Sequence, residues 1–401
     1  MQSVLKLLIF VALIFTSQLS PFMKLQAGGQ EPVIRESGPS VDAGIEVAAR
    51  PYRPFIEERG DQQFVNVDLL LRNRDLRTYR LVAIKLAAFD RHDHLELERE
   101  LNENGTPPGL DVVGNRNLAP DALIDIFQPL MAFSSDVDLH RIHLELFFME
   151  KGHSVPPVVI TADKIISIDL HPRKYTPAAF CLPLHGLLLV HDGHDFYSHH
   201  RRYNLAARYG IDPASAVSAN LYAYDLMKVP ETGELFRGDP HRKENWLTYG
   251  EPVFAPAEGV VIEAVSNVPE NTFGKDGEAQ IPPDAEKMDP MGLGNHVKIK
   301  HRDGRVSWFL HLQLNSKLVS TGDHVRAGQQ VGKVGFSGDS LFPHLHYTVT
   351  DGAAYPSQGV PSYFKQFTRV VGERRITVSQ GQIDTGDLIE TRFRQGEFCG
   401  R

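Results

Sequence analysis

The chain has 401 residues, with 42% apolar and 23% charged residues and a formal net charge of −8. That length admits two domains of ordinary size, each with its own core, and the composition is that of a soluble globular protein. The acidic balance argues against nucleic acid as a partner, because phosphate binding needs concentrated Lys and Arg.

The N-terminus carries Lys6, then an apolar run from Leu7 to Phe15, polar residues, and Leu25-Gln26-Ala27 as a cleavage site. This predicts an export signal over residues 1–27. The apolar run falls short of the roughly 20 residues a membrane helix needs, so no integral span is expected after cleavage. Residues 28–42, bearing Gly, Pro and Ser, read as a linker. From 43 to 172 the pattern alternates with period two, in Phe64–Arg72, Tyr79–Asp90, Arg141–Phe148 and Lys164–Leu170. Short strands separated by turn signals predict an immunoglobulin-like antiparallel β-sandwich, with no catalytic constellation in it.

The prolines and charges of His171–Pro177 mark a boundary, and a second, mainly β domain is expected over 173–365. Val253–Ala264 reads as two strands around a tight turn, and the polar segment Asn267–Met291 as a long loop. Gly294–His301 and Arg305–Leu312 form a hairpin around Asp303-Gly304. Gly332, Gly335 and Gly338 are expected to supply tight turns. Residues 366–401 are expected to pack on this domain as a tail. There are two cysteines, Cys181 and Cys399, and export permits a bridge between them as readily as two free thiols.

Chemistry concentrates in His344-Leu345-His346. Two histidines two apart on a strand share a face, while Leu345 turns to the core. Catalytic zinc takes three protein ligands from His, Asp or Glu and keeps one position open for water. His346 is the strongest ligand candidate. His311 closes another strand, where a free imidazole orients water or stabilises developing charge. One such histidine alone is more often structural; the set together is not. Upstream lie Ser198-His199-His200 and Asp225, the latter in an apolar strand context. A buried Asp needs a partner, either a divalent metal or an Arg such as Arg201 or Arg202. A phosphate-cradling role for the glycine run fails, since neither a helix start nor Lys-Ser/Thr follows it.

The run Val325–Gly338 leading into His344-Leu345-His346 resembles the lysostaphin-type (LytM-like) zinc endopeptidases that cut bacterial peptidoglycan. Tyr222–Leu226, Pro252–Val261, Gly294-Asn295-x-Val297 and Trp308–Leu312 add matches in order, over about residues 180–365. The resemblance implies an antiparallel β-sheet peptidase domain of the duplicated hybrid motif. It implies Zn2+ held by His200, Asp225 and His346, with His311 and His344 as the catalytic histidines that do not bind metal. In that family the first ligand and its Asp are usually close, whereas here some two dozen residues intervene, including Asn204 through Asn220. The first ligand is therefore the weakest assignment of the set: His200 is preferred, with His199 close behind and His194 a distant third. The implied activity is hydrolysis of peptide bonds in peptidoglycan cross-links or stems by zinc-activated water, in the periplasm or outside the cell and associated with the wall. The implied partners are peptidoglycan peptides. The other reading is an inactive wall-binding or regulatory module of the same fold that recruits or activates other wall hydrolases.

Overall fold

The computed structural model describes residues 40–42, 44–106, 108–153, 162–176, 179–193, 195, 197–202, 218–353 and 357–391. The export signal, His194 and Cys399 lie outside the described residues, and Cys181 is buried and disulfide-bonded. No helix among the described residues is long and apolar enough to cross a membrane.

The alternating stretches of the first half become β1 (Ile45–Arg50), β2 (Phe55–Arg59), β3 (Gln62–Val65), β4 (Asp68–Asn73), β5 (Tyr79–Phe89), β6 (Leu95–Asn102), β7 (Leu123–Ile126), β8 (Arg141–Glu150) and β9 (Lys164–Leu170). An edge strand at Ser40–Asp42 joins β1, β4 and β7 in one antiparallel sheet, and β9, β8, β5 and β6 form a second. Their inward residues, among them Val47, Leu69, Leu71, Leu86, Leu144 and Ile168, share one core. Phe64–Arg72 is not the single strand expected from its periodicity. It breaks at Asn66-Val67 into β3 and β4, which belong to different sheets. The break has a polar cause: Asn66 is buried, with Nδ2 donating to the Glu57 carboxylate and Oδ1 accepting from Gln128 Nε2 at 2.8 Å.

The second half contributes β10 (Gly186–Asp192), β11 (Tyr224–Lys228), β12 (Pro252–Phe254), β13 (Gly259–Val265), helix α1 (Pro283–Met288), β14 (Asn295–Lys300), β15 (Val306–Leu312), β16 (Gln330–Lys333), β17 (Leu345–Thr350), β18 (Tyr363–Val371), β19 (Arg374–Gly381) and β20 (Leu388–Thr391). In the large sheet the neighbours run β18-β20-β10-β11-β17-β15-β14-β13, every one of these pairs antiparallel. Leu188, Tyr224, Val297, Phe309, Leu345 and Ile389 lie in its core. The mainly β, antiparallel architecture expected of the chain is the one observed.

Three local expectations need correction. β12 and β13 do not pair with each other: β12 pairs with β16, and β13 with β14 and His324–Val325. Alternation reports which face a strand buries, not which strand it meets. Asn267–Met291 is not bare loop, since Thr272–Phe273 pairs with Ala279–Gln280 and α1 follows, with Pro, Asp284 and Glu286 in its first turn. Of the three glycines read as turns, only Gly338 has positive φ, at +72°. Gly335 instead allows close approach of chains, for a Cβ there would stand 2.3 Å from Gln313 N.

The two cores meet along β2. Phe55 belongs to the second core and packs edge-on to Tyr175 at 4.7 Å, while Arg59 grips Asp384 through two bonds of 2.8 and 3.0 Å.

Candidate metal centre

The centre lies across adjacent strands β10, β11, β17 and β15. Their register sets Asp192 opposite Asp225, Asp225 opposite His346, and His346 opposite Leu310. Directly opposed residues share a face, so backbone hydrogen bonding brings Asp225 and His346 together. Leu345 between the two histidines is fully buried in the core, as the alternation predicts.

Two irregularities complete the row. Phe309 and Leu312 face the core, whereas Trp308 and Leu310 form a cluster with Ile262 and Leu293. Strict alternation would send His311 to the core side. Instead, Phe309 to Leu312 spans only Val297 to Asn295 on β14, and the extra residue sits at His311, whose φ is +61°. This bulge turns the imidazole to the site, with ring centroids 5.1 Å from His344 and 5.5 Å from His346. A second shift between Val190 and Asp192 aligns Asp192 with Asp225.

His200 arrives from outside the sheet, on the short 3₁₀ turn His200–Arg202. It is 4% exposed, whereas the His199 side chain is 62% exposed, so the two adjacent histidines have different surroundings. His199 Nδ1 makes a close contact with the Asp192 carboxylate. His200 Nδ1 lies 3.4 Å from the same carboxylate, and the perpendicular rings of His200 and His346 are 4.7 Å apart.

Three imidazole nitrogens converge on one carboxylate oxygen. Asp225 Oδ1 is 3.4 Å from His200 Nε2, 3.1 Å from His344 Nε2 and 3.2 Å from His346 Nδ1. Asp225 Oδ1, His200 Nδ1 and His346 Nε2 are buried without a hydrogen-bond partner. Donors bound at roughly 2.0–2.1 Å to a tetrahedral zinc stand about 3.3 Å apart. The spacing of His200 Nε2 and His346 Nδ1 from Asp225 Oδ1 fits such an ion, and Asp225 Oδ1 is the unsatisfied atom of that set, since His200 Nδ1 and His346 Nε2 are the opposite ring nitrogens. Of the two Arg partners considered for Asp225, Arg201 turns instead to Glu57 and Gln128, and the Arg202 side chain lies outside the described residues.

Two carbonyls fix tautomers. His311 Nδ1–H donates to Ser337 O at 2.8 Å and His344 Nδ1–H to Phe342 O at 2.8 Å, leaving each Nε2 for proton exchange. Without metal, burial pushes His200 down to about 3, and burial with the neighbouring His344 and His346 holds His311 well below the ordinary value. Burial also opposes charge on His344, but the Asp225 carboxylate outweighs it and the net direction is upward. Asp225 is held well below the carboxylate range: burial disfavours its charge, and His200 and His344 more than offset that.

His199, His200, His311 and His346 line a cleft with Met291, Asp339 and Thr348, so the end of the 267–291 segment borders the site. Sequence reasoning missed Asp192. Its only signal was an acid at the end of an apolar strand, since its alignment depends on the bulge.

Residues 246–357 match the model for Peptidase family M23. The chain carries a Peptidase M23 domain. His311, His344 and His346 fall inside the matched stretch, whereas His200 and Asp225 precede it. The chain is 31% identical over 119 residues to the peptidoglycan DD-endopeptidase ShyC of Vibrio cholerae, covering 29% of this chain and 21% of that protein. It is 28% identical over 111 residues to the glycyl-glycine endopeptidase ALE-1 of Staphylococcus capitis, covering 27% and 24%. The chain thus spans less than a quarter of the length of either relative. Among solved structures, the catalytic domain of lysostaphin from Staphylococcus simulans is 23% identical, covering 34% of this chain and 74% of that one with a TM-score of 0.22.

Proposed function

We propose that the chain is an exported, wall-associated zinc endopeptidase that hydrolyses peptide bonds in peptidoglycan cross-links or stems. The approach of His200 Nε2 and His346 Nδ1 to Asp225 Oδ1, at the donor spacing of a tetrahedral zinc site and with His344 Nε2 beside them, carries this reading. His200, Asp225 and His346 are the ligands. The names of the relatives, which specify peptidoglycan and glycyl-glycine bonds, favour a wall peptide as substrate.

Bound zinc supplies Lewis acidity, which acidifies water and polarises a carbonyl. The chain's own groups do the rest. His311, locked as the Nδ1–H tautomer by Ser337 O, presents Nε2 to accept a proton or to orient water. His344, locked likewise by Phe342 O, carries a proton on Nε2 toward a leaving amine. The burial of all five residues keeps bulk water from competing for these contacts.

The test is zinc content and release of peptide fragments from purified peptidoglycan, measured on the same samples. His346→Ala and Asp225→Ala should lose both zinc and hydrolysis. His311→Ala and His344→Ala should keep zinc and lose about 10²–10⁴ in rate, the usual worth of a general acid or base. Full metal and activity in the first pair would sink the site. A zinc-loaded wild-type protein that binds wall without cutting it would establish the recruiting module instead.

A further inference from the structure

His200 differs from the other proposed ligands in what holds it. Asp225 and His346 are fixed by strand register, whereas His200 sits on a three-residue turn with no sheet partner. On one side the His199 N–H bonds the Asp192 carboxylate at 3.1 Å, and on the other the next residue adds an anchor of its own. Arg201 is 2% exposed, and its guanidinium lies 5.1 Å from the ring centre of Tyr222, three residues before Asp225. Arg201 Nη1 donates to Gln128 Oε1 at 3.3 Å, and Nη2 is 3.9 Å from Glu57 Oε1. Glu57 and Gln128 both come from the N-terminal half.

Those two residues are themselves held. Glu57 is 2% exposed and accepts from Asn66 Nδ2 and from Gln382 Nε2, the latter at 2.8 Å. Gln128 donates its Nε2 to Asn66 Oδ1 and its backbone N–H to Asp68 Oδ1 at 3.2 Å. A buried, cross-linked polar network of this kind has few alternative arrangements. Arg201 lines a cavity of about 900 Å³ bordered by Phe64, Gln128 and Met131, whereas His200 lines the metal cleft. The turn therefore has one residue on each of the two spaces.

Building on the zinc reading above, we propose that the N-terminal sandwich is part of the scaffold of the metal centre: Glu57 and Gln128 clamp Arg201, and Arg201 fixes the turn that presents His200. Arg201 is a positioning residue, since it reaches the metal only through its neighbour. This gives the accessory half a role in metal retention, and it compensates for the long separation between His200 and Asp225.

The experiment uses the full chain and Zn2+ alone, with affinity read by competition against a chelating dye and stability by thermal unfolding of the metal-free protein. Arg201→Met combined with Glu57→Gln removes both charges together, which avoids an unpaired buried ion. Zinc affinity should fall about 10- to 100-fold, the usual cost of losing a partner behind a ligand, while the metal-free protein still unfolds cooperatively. Gln128→Met, a milder change, should weaken zinc in the same direction and serves if the double variant does not fold. Wild-type zinc affinity in a folded double variant, or in Gln128→Met when the double variant fails to fold, would overturn the inference and leave the pair as simple glue between the halves. The reference is His200→Ala: if that variant keeps zinc, the ligand set itself is wrong; if it loses zinc while the others retain it, only the positioning role fails.

Discussion

Asp68→Asn should make the stability of the chain less dependent on pH. Arg50, 1% exposed, places Nη2 3.0 Å from Asp68 Oδ2 and 2.9 Å from Asp125 Oδ2, so two carboxylates share one buried guanidinium. Burial, and then the Asp125 charge, raise Asp68 from its ordinary 3.8 to about 6, with Arg50 only partly opposing them. A folded value above the unfolded one means the protonated form favours the native state. That stabilisation is complete below 3.8 and is lost as pH rises through about 6. The difference corresponds to roughly 3 kcal/mol between pH 4 and pH 7 at about 1.4 kcal/mol per tenfold change in proton affinity. Asparagine keeps an oxygen to accept from Gln128 N and cannot ionise, and Asp125 remains as counter-ion for Arg50. Calorimetric unfolding from pH 4 to pH 8 should show the variant gaining on the wild type as pH rises. Parallel curves for the two proteins across that window would refute the coupling argued here.

His199→Ala should leave zinc bound and His200→Ala should strip it, as metal analysis after dialysis will show, because only His200 is buried beside Asp225. Gly335→Ala forces a Cβ to 2.3 Å from Gln313 N, two residues past His311, so unfolding experiments should show about 1–3 kcal/mol of destabilisation and assays a loss of hydrolysis. Chelation of zinc should lower the thermal midpoint, and added zinc should restore it in a concentration-dependent way. Glu263, held down to about 2 chiefly by the His296 hydrogen bond against burial, with Lys298 adding to it, contributes stability that is lost as pH falls from 4.5 through about 2. Glu263→Gln should flatten that acid limb in a pH titration of unfolding.

Part of the centre is legible in the sequence itself. His344-Leu345-His346 announces a strand with two imidazoles on one side, because period two is a property of the extended backbone itself. Asp225 in an apolar strand announces a buried carboxylate that needs compensation, and burial plus convergent histidines answer it. His311 was readable as a strand-end histidine, but not as one facing the site, since alternation puts it on the wrong side and only the bulge corrects that. Phe64–Arg72 shows the opposite failure: it has period-two character, yet the buried Asn66 finds Glu57 and Gln128 and the chain changes sheets. Asp192 carried only the signal of an acid at the end of an apolar strand, which does not say that it meets Asp225.

The sequence by itself determined the strand-forming alternation, the antiparallel β character and the shared face of His344 and His346, because those follow from residue chemistry and backbone period, while the rest of the proposed ligand set came from the resemblance to the lysostaphin-type endopeptidases. The tertiary structure alone decided which strands pair, which of two adjacent histidines is buried, and how Arg201 bonds across to Glu57 and Gln128. These depend on contacts between segments far apart in the chain, and the energy of such a contact is not written in either segment alone.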